Sequence, residues 1–164
     1  MNKGLIIRRI VFAVLLILWM CFIFSMSADT GEESAGLSGS IAKFVVKFIP
    51  GYADGSAQRQ RDIFDITHLV IRKCAHFTEF GILGLLFAGF LRTFDKFREG
   101  PYFKTFVAAV IFAGVCAAFD EYHQSFVPGR GPTIRDVMID TSGALCFQGI
   151  SWLVVKFNKN DVAN

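Results

Sequence analysis

Residues 6–26 read IIRRIVFAVLLILWMCFIFSM, twenty-one residues whose only charges, Arg8 and Arg9, stand near the start. At 1.5 Å per residue such a run covers ~30 Å, the thickness of a bilayer's hydrocarbon core, and predicts a transmembrane helix. A cleaved secretory signal is the competing reading, because Lys3, Arg8 and Arg9 form a basic start and residues 25–28 offer small side chains at a cleavage position. The run is longer than the about 7–15 apolar residues of a signal core, which favours a retained helix.

The remaining composition points the same way. Of 164 residues 53% are hydrophobic, 19 are phenylalanine and only 19% are charged, too apolar for an ordinary water-soluble domain of this length. The net charge of +3 comes from basic residues scattered singly or in pairs. No basic stripe exists to neutralise a phosphate backbone, so nucleic acid is excluded as a partner. Cys21, Cys74, Cys116 and Cys146 fall one per apolar segment with no CxxC pair. That spacing gives neither a zinc site nor a disulfide framework, and buried apolar filler is the expectation.

Beyond the first run, residues 27–62 turn polar and carry Gly31, Gly36, Gly39, Gly51 and Gly55, which predicts a loop outside the membrane. Within it, Lys43 and Lys47, and Phe44 and Phe48, stand four apart. This is the pattern of a short interfacial helix over about 41–49, stopped by Pro50 and Gly51. The next helix is expected to begin near Asp62 and to span the membrane over about 69–91. Its purely apolar part, Phe80 to Leu91, is 12 residues, or about 18 Å, too short to cross alone, so polar turns must enter the bilayer. Asp65, His68, Arg72, His76 and Glu79 recur at i, i+3, i+7, i+11 and i+14, within an arc of roughly 80° on one helix face.

A basic loop over 92–104 leads to a third span at about 102–119, and a fourth follows at about 137–155. The expected architecture is an all-α polytopic membrane protein, a single domain over 1–164 with four transmembrane helices and polar residues clustered at the extracytoplasmic side. Loop 92–104 holds Arg92, Lys96, Arg98 and Lys104, against Arg130 alone in loop 121–134. By the positive-inside rule both termini face the cytoplasm. Counting up from that side, Glu79 lies at about 20 Å, His76, Asp120 and Asp140 at about 24 Å, and Arg72, Gln124 and Asp136 near ~30 Å. Three helices thus place ionisable groups in one layer, where such groups are costly unless paired or facing a wet cavity.

Much of that layer comes from DEYHQSFVPGRGPTIRD, residues 120–136. Asp120 and Gln124 share a face at i, i+4, and Glu121 is turned by about 100°. His123 reads as a loop residue at the mouth. Pro128 to Pro132 predicts a stiff turn holding Arg130 over a pocket. Thr133 with Asp136 fits the S/T-x-x-D/E pattern of a helix start, so Asp136 is either a capping residue or part of the site. Asp140 lies one turn deeper, and Gly143 on the same face allows close helix packing or leaves room for a ligand.

Arg72-Lys-Cys-Ala-His-Phe-Thr-Glu-Phe80, Asp120-Glu-Tyr-His-Gln124 with Pro128-Gly-Arg130, and Asp136-Val-Met-Ile-Asp140 with Gly143 together resemble the signature of VanZ-like membrane proteins. The resemblance runs from about residue 63 to 155, with Phe80 where a tyrosine is common and no counterpart for 27–62. It implies a multi-pass protein of the bacterial cell membrane, in a family whose named member is associated with teicoplanin resistance and has no established reaction.

The candidate acid/base residues are His76, Glu79, Asp120 and Glu121, and the candidate ligand-binding residues are Arg72, Lys73, Gln124, Arg130, Asp136 and Asp140. Such a mixed set of charges suits an ion-pair network, or a zwitterionic or phosphate-bearing headgroup. The competing reading of Arg72, His76 and Glu79 is a charge ladder along one helix. No metal or cofactor is expected, since Arg72 and Lys73 repel a cation from His76 and Glu79. Three functions remain open: a protein acting at the outer leaflet on or with envelope lipids, lipid-linked wall precursors or glycopeptide; an acid/base hydrolase or transferase on a lipid headgroup; and a small transporter.

Overall fold

The computed structural model describes residues 3–131 and 133–161, with side chains as far as Phe157. The chain is all-α: α1 (Lys3–Ala28), α2 (Gly31–Val45), a 3-10 turn over Val46–Phe48, α3 (Ala57–Leu91), the short α4 (Asp95–Arg98), α5 (Tyr102–Gln124) and α6 (Ile134–Asp161). Four helices, namely α1, α3, α5 and α6 as far as Phe157, are long and apolar enough to cross a membrane. This is the architecture of a polytopic membrane protein. α3, α5 and α6 pack against one another, α1 lies on α3 and α5, and α2 lies on α3.

Lipid-facing helices gain little from burying more apolar surface, so close backbone approach and a few polar ties must hold them together. A Cβ on Gly143 of α6 would sit 1.9 Å from the Phe77 carbonyl oxygen of α3, and a Cβ on Gly81 of α3 would strike the Phe147 ring. Gly143 therefore serves close helix packing. On α5, Ala109, Ala113 and Ala117 recur every fourth residue and are fully buried. The largest apolar cluster gathers Leu16, Ile23, Phe80, Leu83 and Ala117, while Ile17, Leu18, Ile111 and Phe119 remain exposed on the outside of the bundle.

Polar ties fix α1. Trp19 Nε1 donates to the Glu79 carbonyl at 2.9 Å. Arg9 donates to the Thr93 hydroxyl and carbonyl and stacks over the Phe94 ring, so one of the two early charges clamps α1 to the α3–α4 turn.

Several expectations are corrected. Segment 27–62 is mostly helix: α2 starts at Gly31 rather than near 41, and α3 starts at Ala57 rather than near Asp62. Thr30 and Glu33 form a reciprocal capping box, and that box together with packing on α3 outweighs the cost of three helical glycines, each about 1 kcal/mol relative to alanine. The expected stop holds, with the 3-10 turn ending at Phe48 and Gly51 at φ +72°. α5 runs on to Gln124, so His123 belongs to its last turn and not to a loop. The cysteines are not core filler: Cys21, Cys74 and Cys146 are exposed on the helix bundle and Cys116 is half-buried.

Candidate functional site

Where α1, α2, α3 and the end of α5 meet lies a cavity of about 170 Å³, well above the ~10–15 Å³ that one water needs. Its wall is mostly apolar on the α1 and α2 side, with Phe22, Ile23, Met26, Leu37 and Ile41. Arg72, His76 and Glu79 enter from successive turns of α3, Asp120 from α5 and Arg130 from the turn before α6. Phe22, Leu37 and Ile41 line the cavity and are also exposed on the outer surface, so the wall between α1 and α2 is where the cavity meets the surroundings of the bundle.

The α5–α6 turn is locked onto the start of α2. The Gly31 N–H donates to the Pro128 carbonyl at 3.1 Å, and Gly129 has φ +74°, a left-handed conformation that costs glycine nothing. A Cβ on Gly31 would lie 2.2 Å from the Gly129 carbonyl oxygen, so both positions require glycine. Arg130 then reaches back and donates through Nε to the Asp29 carbonyl (3.0 Å) and through Nη2 to Met26 (2.9 Å). These are orphan carbonyls at and just past the end of α1, where a cation is favoured. Arg130 Nη1 is buried and has no partner. Burial, followed by the nearby Arg72 charge, pulls Arg130 below the ordinary guanidinium range. Pro132, the last residue of the expected stiff turn, lies outside the described residues.

The carboxylates are unequally used. Asp120 Oδ2 accepts from Gln124 Nε2 at 2.7 Å, while Asp120 Oδ1 is buried without a partner. Asp120 and Asp140 are 1% and 0% exposed. Both Asp140 oxygens and His76 Nδ1 are buried and unmatched. His76 Nδ1 stands 3.8 Å from Asp140 Oδ1, beyond hydrogen-bond reach. Among the described residues no ion pair joins any of Arg72, Arg130, Glu79 and Asp120 to another charged side chain.

Five of the ten candidate residues therefore line the cavity, and five do not. Lys73 is ion-paired with Asp136, which ties α3 to α6. Glu121 Oε2 accepts the Thr133 N–H at 2.8 Å, and Thr133 Oγ1 accepts the Asp136 N–H at 3.2 Å. Thr133 is the N-cap, but the carboxylate that returns to it is Glu121 from α5, so Asp136 is neither the capping-box partner nor part of the cavity wall. Gln124 supports Asp120, and Asp140 stands behind His76.

The sequence reading missed the contribution of α2. Ser34 and Ser38 of α2 and Ser27 of α1 line the cavity, the Ser38 hydroxyl meets His68 Nε2 at 2.7 Å, and Ser27 meets His123 Nδ1 at 3.2 Å. The Thr30-x-x-Glu33 pattern was the available signal for α2. Among the described residues no group of three or more His, Cys, Asp or Glu side chains is placed to hold a metal ion.

A family model described as VanZ/LLP1 matches residues 12–155. No curated protein matches, and neither does any solved structure.

Proposed function

The chain belongs to the VanZ/LLP1 family, and on that premise we propose that its cavity receives the phosphate-bearing head of an envelope lipid or lipid-linked wall precursor from the outer leaflet. One observation carries the reading: Arg72 and Arg130 line a single cavity, and among the described residues neither makes an ion pair with a carboxylate there. Guanidinium groups hold phosphate oxygens through paired hydrogen bonds, and Arg130 Nη1 has a donor to give. The apolar wall of Phe22, Leu37 and Ile41 suits the start of an acyl or polyprenyl chain leaving sideways into the bilayer.

The orientation belongs to the same proposal. α1 begins, α3 ends and α5 begins at the end that carries Arg8, Arg9, Arg92, Lys96, Arg98 and Lys104. With that end and both termini in the cytoplasm, the cavity opens toward the outer leaflet. A contribution to glycopeptide (teicoplanin) resistance follows from action on lipids or precursors there, and is read as altered teicoplanin susceptibility when the protein is deleted.

A second reading, acid/base hydrolysis or transfer on the bound headgroup, is favoured by Glu79, Asp120 and His76 standing on the same cavity, with buried atoms of Asp120 and His76 unmatched. A carrier is disfavoured, because the fully buried Ala109, Ala113 and Ala117 close α5 beneath the cavity. The test is to incubate purified wild type and Glu79→Gln with a bacterial lipid extract and to identify bound and bulk lipids by mass spectrometry. Lipid retained unchanged supports binding, and a product made by wild type alone supports the enzyme. Equal traces from the wild type, Glu79→Gln and Arg72→Gln overturn both readings.

A further inference from the structure

The headgroup reading leaves two carboxylates of the cavity unexplained. A pocket for phosphate alone is best built from donors and cations, since an acid on its wall repels the ligand. Glu79 and Asp120 nevertheless line it together with Arg72 and Arg130. Among the described residues no ion pair within the cavity joins the two signs; Asp120 and Arg130 attract each other only across a longer gap. Elsewhere in the same bundle such pairing does occur, as between Lys73 and Asp136. Asp120 is 1% exposed and its Oδ1 has no donor within hydrogen-bond distance, the Ser27 hydroxyl standing nearest, and Gln124 holds the other oxygen so that the carboxylate is fixed in place.

The two signs are also separated along the helix axis. Arg72 and Glu79 are seven residues apart on α3, about 10 Å by the helical rise. Arg130 belongs to the turn beyond α5, at the Arg72 end, and Asp120 lies one helical turn inside that end. The cavity is therefore dipolar, with guanidinium groups toward the α5–α6 turn and carboxylates further along the bundle. His76 sits between Arg72 and Glu79 on the same helix and lines the cavity with them.

We propose, resting on the headgroup reading above, that the ligand is zwitterionic, a phosphate carrying a primary amine, whose phosphate lies on Arg72 and Arg130 and whose ammonium donates to Glu79 and Asp120. The ammonium protons would be met by the carboxylates of Glu79 and Asp120, both on the cavity wall. A quaternary ammonium has no proton to donate and does not fit this end.

Wild-type protein in detergent, stripped of lipid, is mixed with equal amounts of phosphatidylethanolamine, phosphatidylglycerol and phosphatidylcholine of matched chains, and the retained lipid is measured by native mass spectrometry. Phosphatidylethanolamine is expected to exceed each of the others about tenfold, the worth of one charge-assisted hydrogen bond. Glu79→Gln is expected to lose that preference while still retaining phosphatidylglycerol, and Arg72→Gln to lose all three. Equal retention of phosphatidylglycerol and phosphatidylethanolamine by wild type overturns the ammonium assignment and leaves the headgroup reading standing. Retention of no lipid overturns both. Water-soluble phosphoethanolamine competing as strongly as the lipid would keep the ammonium chemistry and overturn the lipid as its source. The wild-type comparison decides the matter even where a variant fails to fold.

Discussion

Between Thr105 and Ala117, α5 buries alanines completely at every fourth position, whereas one turn further on it buries Asp120, Glu121 and Gln124 almost as completely. The same contrast runs along α6, where Gly143 and Ala144 sit tight against α3 and Asp140, one turn earlier, has both oxygens unmatched. Polar side chains also enter the opposite end of the bundle, where the Tyr102 hydroxyl meets Ser151 at 2.7 Å and Gln148 at 3.3 Å. Those groups are neutral, and an unmet neutral donor such as Gln148 Nε2 costs far less than an unmet charge. The middle of the bundle is thus built for contact and the cavity end for charge. A rigid seam of small residues below lets the helices hold unpaired charges above at fixed separation, which is what a binding site for a charged head requires.

The largest effect is expected where the seam is broken. A methyl group on Gly143 meets a backbone carbonyl oxygen and not the end of a flexible side chain, so α3 and α6 must move apart. Gly143→Ala should cost about 3 kcal/mol, the upper range of overpacking, and lower the detergent melting temperature. If it melts like wild type, the seam is looser than the approach of Gly143 to the Phe77 carbonyl requires and cannot set the spacing of the charges.

At the cavity end the expected pattern is the reverse. Arg72 makes no ion pair among the described residues, so Arg72→Gln should change stability by no more than about 0.5 kcal/mol, while lipid retention falls at least about tenfold. Thermal melting and lipid mass spectrometry on one preparation check both halves. Destabilisation with unchanged lipid retention would make Arg72 a structural charge and erase the contrast between the two regions.

Lys73 and Asp136 lie on the border between them, and sequence alone left Asp136 undecided between cap and site. Their ion pair is partly exposed, so its loss should cost roughly 1 kcal/mol, near the upper end for solvated pairs. Lys73→Met and Asp136→Asn should cost the same, and the double variant no more than either. A larger cost for Asp136→Asn alone, with no coupling in the double-mutant cycle, would return Asp136 to a capping role.

The four long apolar helices are legible because a membrane span needs only length and low charge, and Ile6 to Met26 meets both conditions without tertiary help. Arg72, His76 and Glu79 stand out in the sequence for a related reason, since an ionisable group this far into an apolar helix signals either a site or a partner, and the three do line one cavity. Choosing between site and partner needs the neighbouring helix. Lys73, next to Arg72, turns toward Asp136, and Glu121, next to Asp120, turns to Thr133; adjacent residues on a helix point about 100° apart, and a linear sequence does not say which direction holds a partner. α2 was hidden for a different reason. Gly31, Gly36 and Gly39 argue for a loop by propensity, and the contacts that override them, His68 with Ser38 and Gly31 with Pro128, come from chain segments far away.

α2 also supplies the smallest predicted effect, because its start rests on a solvent-exposed cap beside the cavity. The Thr30 hydroxyl accepts the Glu33 N–H at 3.3 Å, and Glu33 Oε2 accepts the Thr30 N–H at 2.9 Å. The backbone hydrogen bond from Thr30, and then its hydroxyl, hold the Glu33 carboxyl below the ordinary carboxylate value. A carboxyl lowered in the folded state stabilises it at every pH above the unfolded value, and that contribution fades as pH falls through the folded one. The cap is therefore complete at neutral pH and weakens only in acid. Thr30→Ala should loosen the first turn of α2 by about 0.5–1 kcal/mol, seen as reduced hydrogen-exchange protection of residues 31–36 with α3 unchanged. In wild type the same amides should lose protection, corrected for intrinsic exchange, only as pH falls through the carboxylate range. Protection that stays constant there would mean that α2 is held by His68 and the Gly31–Pro128 contact alone, and this wall of the cavity would owe nothing to its own sequence signal.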